Sequence, residues 1–207
     1  MDLVVPRSRS SFPQRILGAL RLDAAMYAEI AADATATSQA AIVVAVVAML
    51  RGCESVGILG RVGSQNFLDP GVAQVIVGFV SQSLLLSILI AGFGWVVYTG
   101  IFALSSPWLA GVPIREAYGR LLRTVGFAGA TTGFGVLRLV PTVGPLLGFA
   151  VLIWTLAAVI LAMRQAVRVT AGRAMLMVVI AAIVAFLIVV LLVLPFAPGA
   201  GLPNPIG

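Results

Sequence analysis

The stretch AMLMVVIAAIVAFLIVVLLVL, residues 174–194, is an unbroken run of apolar side chains without a charge. A helix needs about 20 such residues to cross the hydrocarbon core of a bilayer. The stretch therefore predicts a transmembrane helix. A short connection precedes it, RQAVRVTAGR at residues 164–173, which carries Arg164, Arg168 and Arg173 and no acid. Before that connection lies a second apolar run, residues 146–163, which predicts another span.

The composition of the whole chain is typical of an integral membrane protein. Of its 207 residues, 61% are hydrophobic and 10% are charged, and the mean hydropathy is +1.13. A soluble domain is about 45–50% apolar and about 25% charged. The chain has one cysteine and no histidine. An intrachain disulfide is therefore excluded, and the commonest general base and transition-metal ligand is missing.

These features predict an all-α integral membrane protein whose five-transmembrane-helix bundle occupies residues 35–195. The charge-free run 70–114 is too long for one span and lacks a clear turn, so we expect a span over 83–104 and an oblique or interfacial lead-in at 72–82. The complete set of predicted spans is 36–50, 83–104, 121–137, 146–163 and 174–194.

The segments that flank the predicted bundle differ from it in composition. Residues 1–13 predict a flexible tail, and the Pro/Gly-rich residues 196–207 predict another. Residues 14–34 have helical spacing, with Ile16, Leu20 and Tyr27 on one apolar stripe, and predict an amphipathic helix that lies on the bilayer surface. The alternative is a cytosolic helix that packs on the bundle.

The arginines predict the orientation of the bundle, because cytoplasmic connections carry an excess of positive charge. With five spans, ten arginines fall on one side and three on the other. We therefore expect a cytoplasmic N-terminus and an exoplasmic C-terminus in a bacterial inner membrane. The ten are Arg7, Arg9, Arg15, Arg21, Arg115, Arg120, Arg123, Arg164, Arg168 and Arg173, and the three are Arg51, Arg61 and Arg138.

Six arginines border the last three spans and are the candidate contacts for anionic lipid headgroups. Arg164 and Arg168 are four residues apart, which predicts that they share a helix face, and Thr170 is a candidate cap for the last span. Pro145 suits the first turn of the fourth span. The six candidate lipid contacts are Arg115, Arg120, Arg123, Arg164, Arg168 and Arg173.

The third span is rich in small residues, with the sequence GFAGATTGFG at residues 126–135. Small residues allow helix backbones to approach closely in lipid, and threonine hydroxyls can hydrogen-bond across such a contact. The pattern favours helix packing. The alternative is a thin or broken helix that lines a path through the membrane. The residues concerned are Gly126, Gly129, Gly133, Gly135, Thr131 and Thr132.

Motifs of catalytic or nucleotide-binding chemistry are missing from the sequence. The chain has no lysine, so it has no phosphate-binding G-x-x-x-x-G-K-[ST] loop, and without histidine it has no H-E-x-x-H zinc motif. We therefore expect no enzymatic activity and no cofactor. A pI near 11.0 could indicate nucleic acid, but the arginines border apolar runs, which favours lipid phosphates as the partner.

Two blocks of the sequence resemble bacterial members of the YIP (Ypt/Rab-interacting protein) domain family. The first is residues 15–40, and the second is residues 115–176, with GFA at 126–128, IWTL at 153–156, and RQA at 164–166 followed by TAGRA at 170–174. The resemblance implies a five-span helical membrane protein with a cytoplasmic N-terminus. Eukaryotic members act in vesicle traffic with Rab-type GTPases, a role that is not carried over to a chain of bacterial composition.

Together these observations predict a non-enzymatic membrane scaffold or assembly protein. It would act through helix packing with other membrane proteins or with itself, and through anionic lipid contacts. The alternative is a small transporter, channel or flippase-like component whose path is lined by the third span.

Overall fold

The computed structural model describes residues 10–62 and 70–193, with the side chains of residues 10–52, 84–188, 190 and 191. All the regular structure in these residues is helical. The predicted tails (except residues 10–13), Arg7, Arg9 and the side chain of Arg61 lie outside the described residues. The helices are α1 (Phe12–Leu20), α2 (Ala24–Ala32), α3 (Ala36–Val62), α4 (Pro70–Leu109), α5 (Ile114–Ala128), a 3-10 helix (Gly129–Leu139), α6 (Gly144–Val167) and α7 (Ala171–Val193).

The predicted single helix over residues 14–34 is two short helices, α1 and α2. The chain turns between them at Leu22, whose φ of 58° is left-handed. Asp23 then starts α2, because its side chain accepts hydrogen bonds from the backbone amides of Ala25 at 2.8 Å and Met26 at 3.4 Å. An aspartate that satisfies such amides favours the beginning of a helix over its interior. The prediction of one continuous helix is therefore wrong.

The α1–α2 hairpin packs on the bundle. Tyr27 and Ile30 are completely buried in a cluster that includes Phe127 of α5 and Ala158 of α6. Trp154, near the middle of α6, donates a hydrogen bond from Nε1 to the Leu20 carbonyl at 3.1 Å. These contacts agree with the alternative of helices packed on the bundle and not with one amphipathic helix lying on the bilayer. The chain then bends by 118° between α2 and α3.

Helices α3 and α4 are longer than the predicted spans. Helix α3 continues beyond residue 50 to Val62, and its 27 residues rise about 40 Å. Helix α4 is one helix of 40 residues, which includes both the predicted span 83–104 and the predicted lead-in 72–82. The lead-in is therefore not a separate oblique element. No charged residue interrupts the hydrophobic sequence there, so nothing in it favours a break.

The predicted third span changes helix type within its length. It begins as α-helix and continues from Gly129 as an 11-residue 3-10 helix. The side-chain oxygen of Thr131 lies 2.8 Å from the Ala128 carbonyl, and that of Thr132 lies 2.7 Å from the Gly129 carbonyl. These bonds hold the two threonine side chains against the backbone of their own segment. The longer rise of a 3-10 helix, about 2.0 Å per residue, lengthens this segment.

Helices α3 to α7 run alternately in opposite directions. The end of α4, the start of α5, the end of α6 and the start of α7 meet in one cluster that includes Ala103, Ala117, Ala166 and Ala174. The connections at residues 110–113 and 168–170 therefore lie at the same end of the bundle, which we call the arginine end. The predicted span 146–163 lies within α6, and the described residues of the predicted span 174–194 lie within α7.

The outer faces of the bundle are apolar. Among the described residues, three helical segments are each long and apolar enough to cross a membrane, Leu84–Leu109, Gly144–Val167 and Ala171–Ile188. In the first segment, only 6% of an 18-residue apolar stretch is buried inside the protein, and the Phe93 side chain is 72% exposed. Large apolar faces of this kind are rare on soluble monomers, so the chain is a membrane-embedded protein.

Candidate functional site

The arginine end gathers four of the six predicted lipid-contact arginines in exposed positions. Arg173, at the start of α7, donates a hydrogen bond from Nη1 to the Leu109 carbonyl at the end of α4, at 3.2 Å. This contact ties the two connections together. The exposed positive charges can therefore act on one surface. They are Arg115, Arg164, Arg168 and Arg173.

The other two predicted contacts are engaged within the protein. Arg120 forms an ion pair with Glu116, one turn earlier in α5, at 2.6 Å. Arg123 donates from Nη2 to the Ala31 carbonyl at 2.8 Å and so joins α5 to α2. Arg123 is best described as a clamp on the hairpin, a role that only the packing of α2 on α5 could indicate.

The end of α6 differs in detail from the prediction. Arg168 has a left-handed φ of 55° and terminates the helix, so it does not share a helix face with Arg164. The Thr170 carbonyl accepts the first backbone hydrogen bond of α7, from Ala174 at 3.0 Å, which agrees with the predicted cap position. Pro145 lies in the first turn of α6, as predicted.

A buried cation holds the α1–α2 hairpin against α3. Arg15 is only 2% exposed, and its guanidinium lies 2.6 Å from Asp33 Oδ2 and 3.2 Å from Glu29 Oε1. It also donates to the side-chain oxygen of Gln39 at 3.0 Å. One side chain from α1 thus contacts α2, the α2–α3 turn and the first turns of α3. Burial makes such a network costly to break, because the carboxylates would lose their counter-charge.

The two carboxylates of this network have lowered pKa values. The Thr35 hydroxyl hydrogen bond and then the Arg15 guanidinium outweigh partial burial and lower the pKa of Asp33 to about 2. For Glu29, burial alone would raise the pKa, but hydrogen bonds from Ser10 and Arg15 lower it below its ordinary value. Both groups are therefore charged at neutral pH, which matches the charge on Arg15.

The glycines of the predicted third span have different surroundings. At Gly126, a Cβ atom would lie 2.7 Å from the Ala40 Cβ and 3.2 Å from the Trp95 ring, so α3, α4 and α5 meet closely there. At Gly133, a Cβ would make ordinary contacts with α3, and Gly135 is buried. At Gly129, no atom lies within 4 Å of a Cβ. The predicted packing role therefore fits Gly126 and, through ordinary contacts with α3, Gly133, whereas Gly129 faces open space.

The threonines of the same segment are also divided between packing and open space. The Thr131 hydroxyl oxygen is buried 2.9 Å from that of Thr155, which joins the 3-10 helix to α6 as predicted for a polar contact in lipid. The Thr132 side chain is only partly buried and lines the cavity described next. Thr131 is thus a packing residue, whereas Thr132 is a lining residue.

A half-open cavity of about 570 Å³, which we call the central cavity, lies between α3, α4, α5, the 3-10 helix, α6 and α7. Its wall is chiefly apolar. The sequence offered a path lined by the third span only as an alternative to helix packing, and it did not predict that six elements would contribute to the lining. Four polar side chains line it, those of Arg51, Tyr98, Thr132 and Thr155.

The central cavity is different at its two ends. Gly52 packs against Leu84 and Ser87, so Arg51 lies level with the early part of the α4 span. Phe102, another lining residue, lies 15 residues beyond Ser87 in α4, which corresponds to a rise of about 22 Å along the helix. One end of the cavity therefore has a cation, and the other is close to the arginine end and is apolar.

Sequence reasoning missed both the Arg15 network and the α1–α2 turn. Asp23 was an available signal, because aspartate before a run of helix-forming residues predicts a helix start. The pairing of Arg15 with Glu29 and Asp33 had no such signal, since it depends on the reversal of the chain between them.

The chemistry of the described residues offers no candidate metal centre. Among the side chains that the structure describes, those of residues 10–52, 84–188, 190 and 191, no group of three or more His, Cys, Asp or Glu is placed to hold a metal ion. Comparisons with protein-family models, curated proteins and solved structures find no match to this chain.

Proposed function

We propose that this protein is a non-enzymatic scaffold of the bacterial inner membrane, of the YIP-like type. It would hold membrane partners against its apolar helix faces and bind anionic phospholipid at the arginine end. The observation that carries the proposal is the exposure of four arginines around two connections that Arg173 ties together. Each arginine near an anionic surface contributes about 1 kcal/mol of attraction.

The alternating helices support the proposed count of five spans. Besides the three apolar segments, α3 runs from the hairpin toward the end of the bundle that is opposite the arginine end. The last five residues of α5 and the 3-10 helix together rise about 30 Å, which matches the thickness of the hydrocarbon core. The third span can therefore cross despite having few residues.

A reporter of membrane topology fused after Gly207 should be active only on the exoplasmic side. Five spans would put the two ends on opposite sides, and the excess of arginine on the N-terminal side would keep that side in the cytoplasm. An alkaline phosphatase fusion and a fluorescent-protein fusion give complementary signals. Phosphatase activity with no fluorescence is expected. Fluorescence without phosphatase activity would contradict the five-span proposal.

The double substitution Arg164→Gln and Arg168→Gln should reduce the anionic phospholipid that stays with the protein. The two lost charges, at about 1 kcal/mol each, should weaken anionic lipid binding by about thirtyfold at low salt, and raised salt should reduce the difference. The measurement is the ratio of phosphatidylglycerol to phosphatidylethanolamine in protein purified from native membranes. Arg120→Gln is the matched control, because that arginine is already paired with Glu116. An unchanged ratio in the double variant would contradict lipid binding at the arginine end.

The same purification tests the scaffold role. A specific protein that co-purifies in a fixed ratio supports a scaffold, whereas recovery of this chain and lipid alone opposes it. Capture should survive mild detergent, because the proposed contacts are made by packed helices.

The central cavity favours a second candidate function, a flippase-like or transport component. Gly129 and Thr132 of the predicted third span line it. Reconstituted vesicles discriminate the two functions. A scaffold should leave the rate of lipid exchange between leaflets equal to that of empty vesicles, while a flippase-like component should accelerate it.

A further inference from the structure

We propose that the central cavity is a binding site for one acyl chain of an anionic membrane lipid, with the headgroup at Arg51. This site goes beyond the proposed scaffold function, which concerns the exposed arginines at the other end of the bundle. It assigns a ligand class to a space that neither helix packing nor surface charge explains.

The size and wall of the cavity fit a lipid chain. A volume of about 570 Å³ lies within the usual range of about 300–1,000 Å³ for ligand pockets. The wall is chiefly apolar, so a polar solute would lose its hydrogen bonds to water on entry without replacement. A hydrocarbon chain makes no hydrogen bonds to water and therefore has none to lose on entry. The open space beside Gly129 is part of the same cavity.

The length and polarity of the cavity indicate how the lipid lies. The levels of Arg51 and Phe102 are separated by about 22 Å along α4. One leaflet of the hydrocarbon core is about 15 Å deep, so an acyl chain can extend from the Arg51 end toward Phe102. A phosphate at the Arg51 end would accept from a guanidinium. Arg51 has other interactions in the structure, and its five N–H donors allow a further acceptor.

The surroundings of the cavity identify the source of the ligand. The cavity is half open, and its exposed lining residues include Tyr98, by 41%, and Leu156, by 39%. The neighbouring outer faces of α4 and α6 carry exposed Phe93 and Ile153. Such faces lie in the hydrocarbon of the membrane, so bilayer lipid is the molecule next to the opening.

Quenching of Trp95 by brominated lipid tests the proposal directly. Trp95 lines the cavity, whereas Trp108 is 88% exposed and Trp154 contacts the hairpin. The full chain with Trp108→Phe and Trp154→Phe therefore reports on the cavity alone. In detergent, lysophosphatidylglycerol with a brominated chain should quench Trp95 saturably. Lysophosphatidylcholine with the same chain should bind about fivefold more weakly.

Filling the cavity should remove the quenching. Gly129→Leu places a side chain in open space and should weaken binding by about tenfold or more. Gly92→Leu is the matched control, because it too has no neighbour within 4 Å and it lies outside the lining. A melting curve checks that each variant is folded. If Gly129→Leu does not fold, Val178→Phe fills the same space from α7.

A separate variant, Arg51→Gln, tests whether the lipid headgroup lies at Arg51. Arg51→Gln should remove the preference for the anionic lipid while saturable quenching by both lipids persists. Quenching that does not saturate, or that is equal in Gly129→Leu and Gly92→Leu, would overturn the acyl-chain site. Equal binding of the two lipids by the parent would overturn the anionic class. None of these outcomes depends on lipid binding at the arginine end, so the two proposals fail separately.

Discussion

Replacing Arg15 with methionine should lower the free energy of unfolding by about 3 kcal/mol. Methionine keeps much of the length of the side chain but removes the charge that Asp33 and Glu29 face. Asp33 is only 9% exposed and would keep its charge without the guanidinium. The Gln39 side chain would lose a donor as well. The cost therefore combines an unpaired carboxylate with a lost interhelical hydrogen bond.

Hydrogen–deuterium exchange locates this loss of stability. The amides of α1 and α2 should exchange faster in Arg15→Met, while those in the middle of α6 should stay protected. Arg21→Met is the matched control, because Arg21 is exposed at the end of α1 and should change stability by less than about 0.5 kcal/mol. Equal exchange in the hairpin of the parent and Arg15→Met would show that the apolar cluster alone holds it.

Acid should weaken the same network in the parent protein. The folded pKa of Asp33 is about 2, below its ordinary value of about 3.9, so its contribution is complete above pH 4 and is lost as the pH falls toward 2. Hairpin protection should decrease across that window. In Arg15→Met the decrease should be smaller, because the Thr35 hydrogen bonds remain but the guanidinium does not.

The substitution Gly126→Ala should destabilise the protein by about 2 kcal/mol. Its new methyl group would overlap the Ala40 Cβ and press on the Trp95 ring, so α3 or α4 must move away from α5. The substitution Gly119→Ala in the same helix is expected to stabilise the protein instead. No atom lies within 4 Å of a Cβ there, and alanine is better than glycine in a helix interior by about 1 kcal/mol.

Removal of the facing methyl group tests the contact itself. Ala40→Gly in the Gly126→Ala background should recover a large part of the lost stability, and a double-mutant cycle should give a favourable coupling. Trp95 provides a local signal, since its Nε1 donates to the Leu122 carbonyl at 3.0 Å, one turn before Gly126. If Gly126→Ala were as stable as Gly119→Ala, the close approach of α3, α4 and α5 would be contradicted.

The roles of the glycines illustrate the limit of sequence reasoning in a membrane protein. Gly126, Gly129 and Gly133 look alike in the sequence, and all three predicted close packing. The structure gives Gly126 a close contact and Gly129 an open cavity wall. The 3-10 helix that begins at Gly129 changes the angle between successive residues, so α-helical spacing does not predict which face each glycine occupies.

The arginines show a similar division. Their positions at the ends of apolar runs predicted that several would be exposed near one membrane surface, and Arg115, Arg164, Arg168 and Arg173 are exposed at one end of the bundle. Arg15 was one of the ten arginines predicted to lie on the cytoplasmic side, but its side chain is buried in the protein. Its partners are 14 and 18 residues away along the chain and reach it only because the chain reverses at Leu22.

Local sequence is enough to predict the helical class, the membrane-embedded character and the approximate location of the apolar segments. These properties depend on local composition, because a helix in hydrocarbon satisfies its own backbone and needs only apolar side chains over sufficient length. The burial of Arg15, the clamp at Arg123, the close approach at Gly126 and the central cavity arise only in the folded bundle. Each of these depends on groups from different helices, whose relative rotation and depth are set by packing that a single segment does not encode.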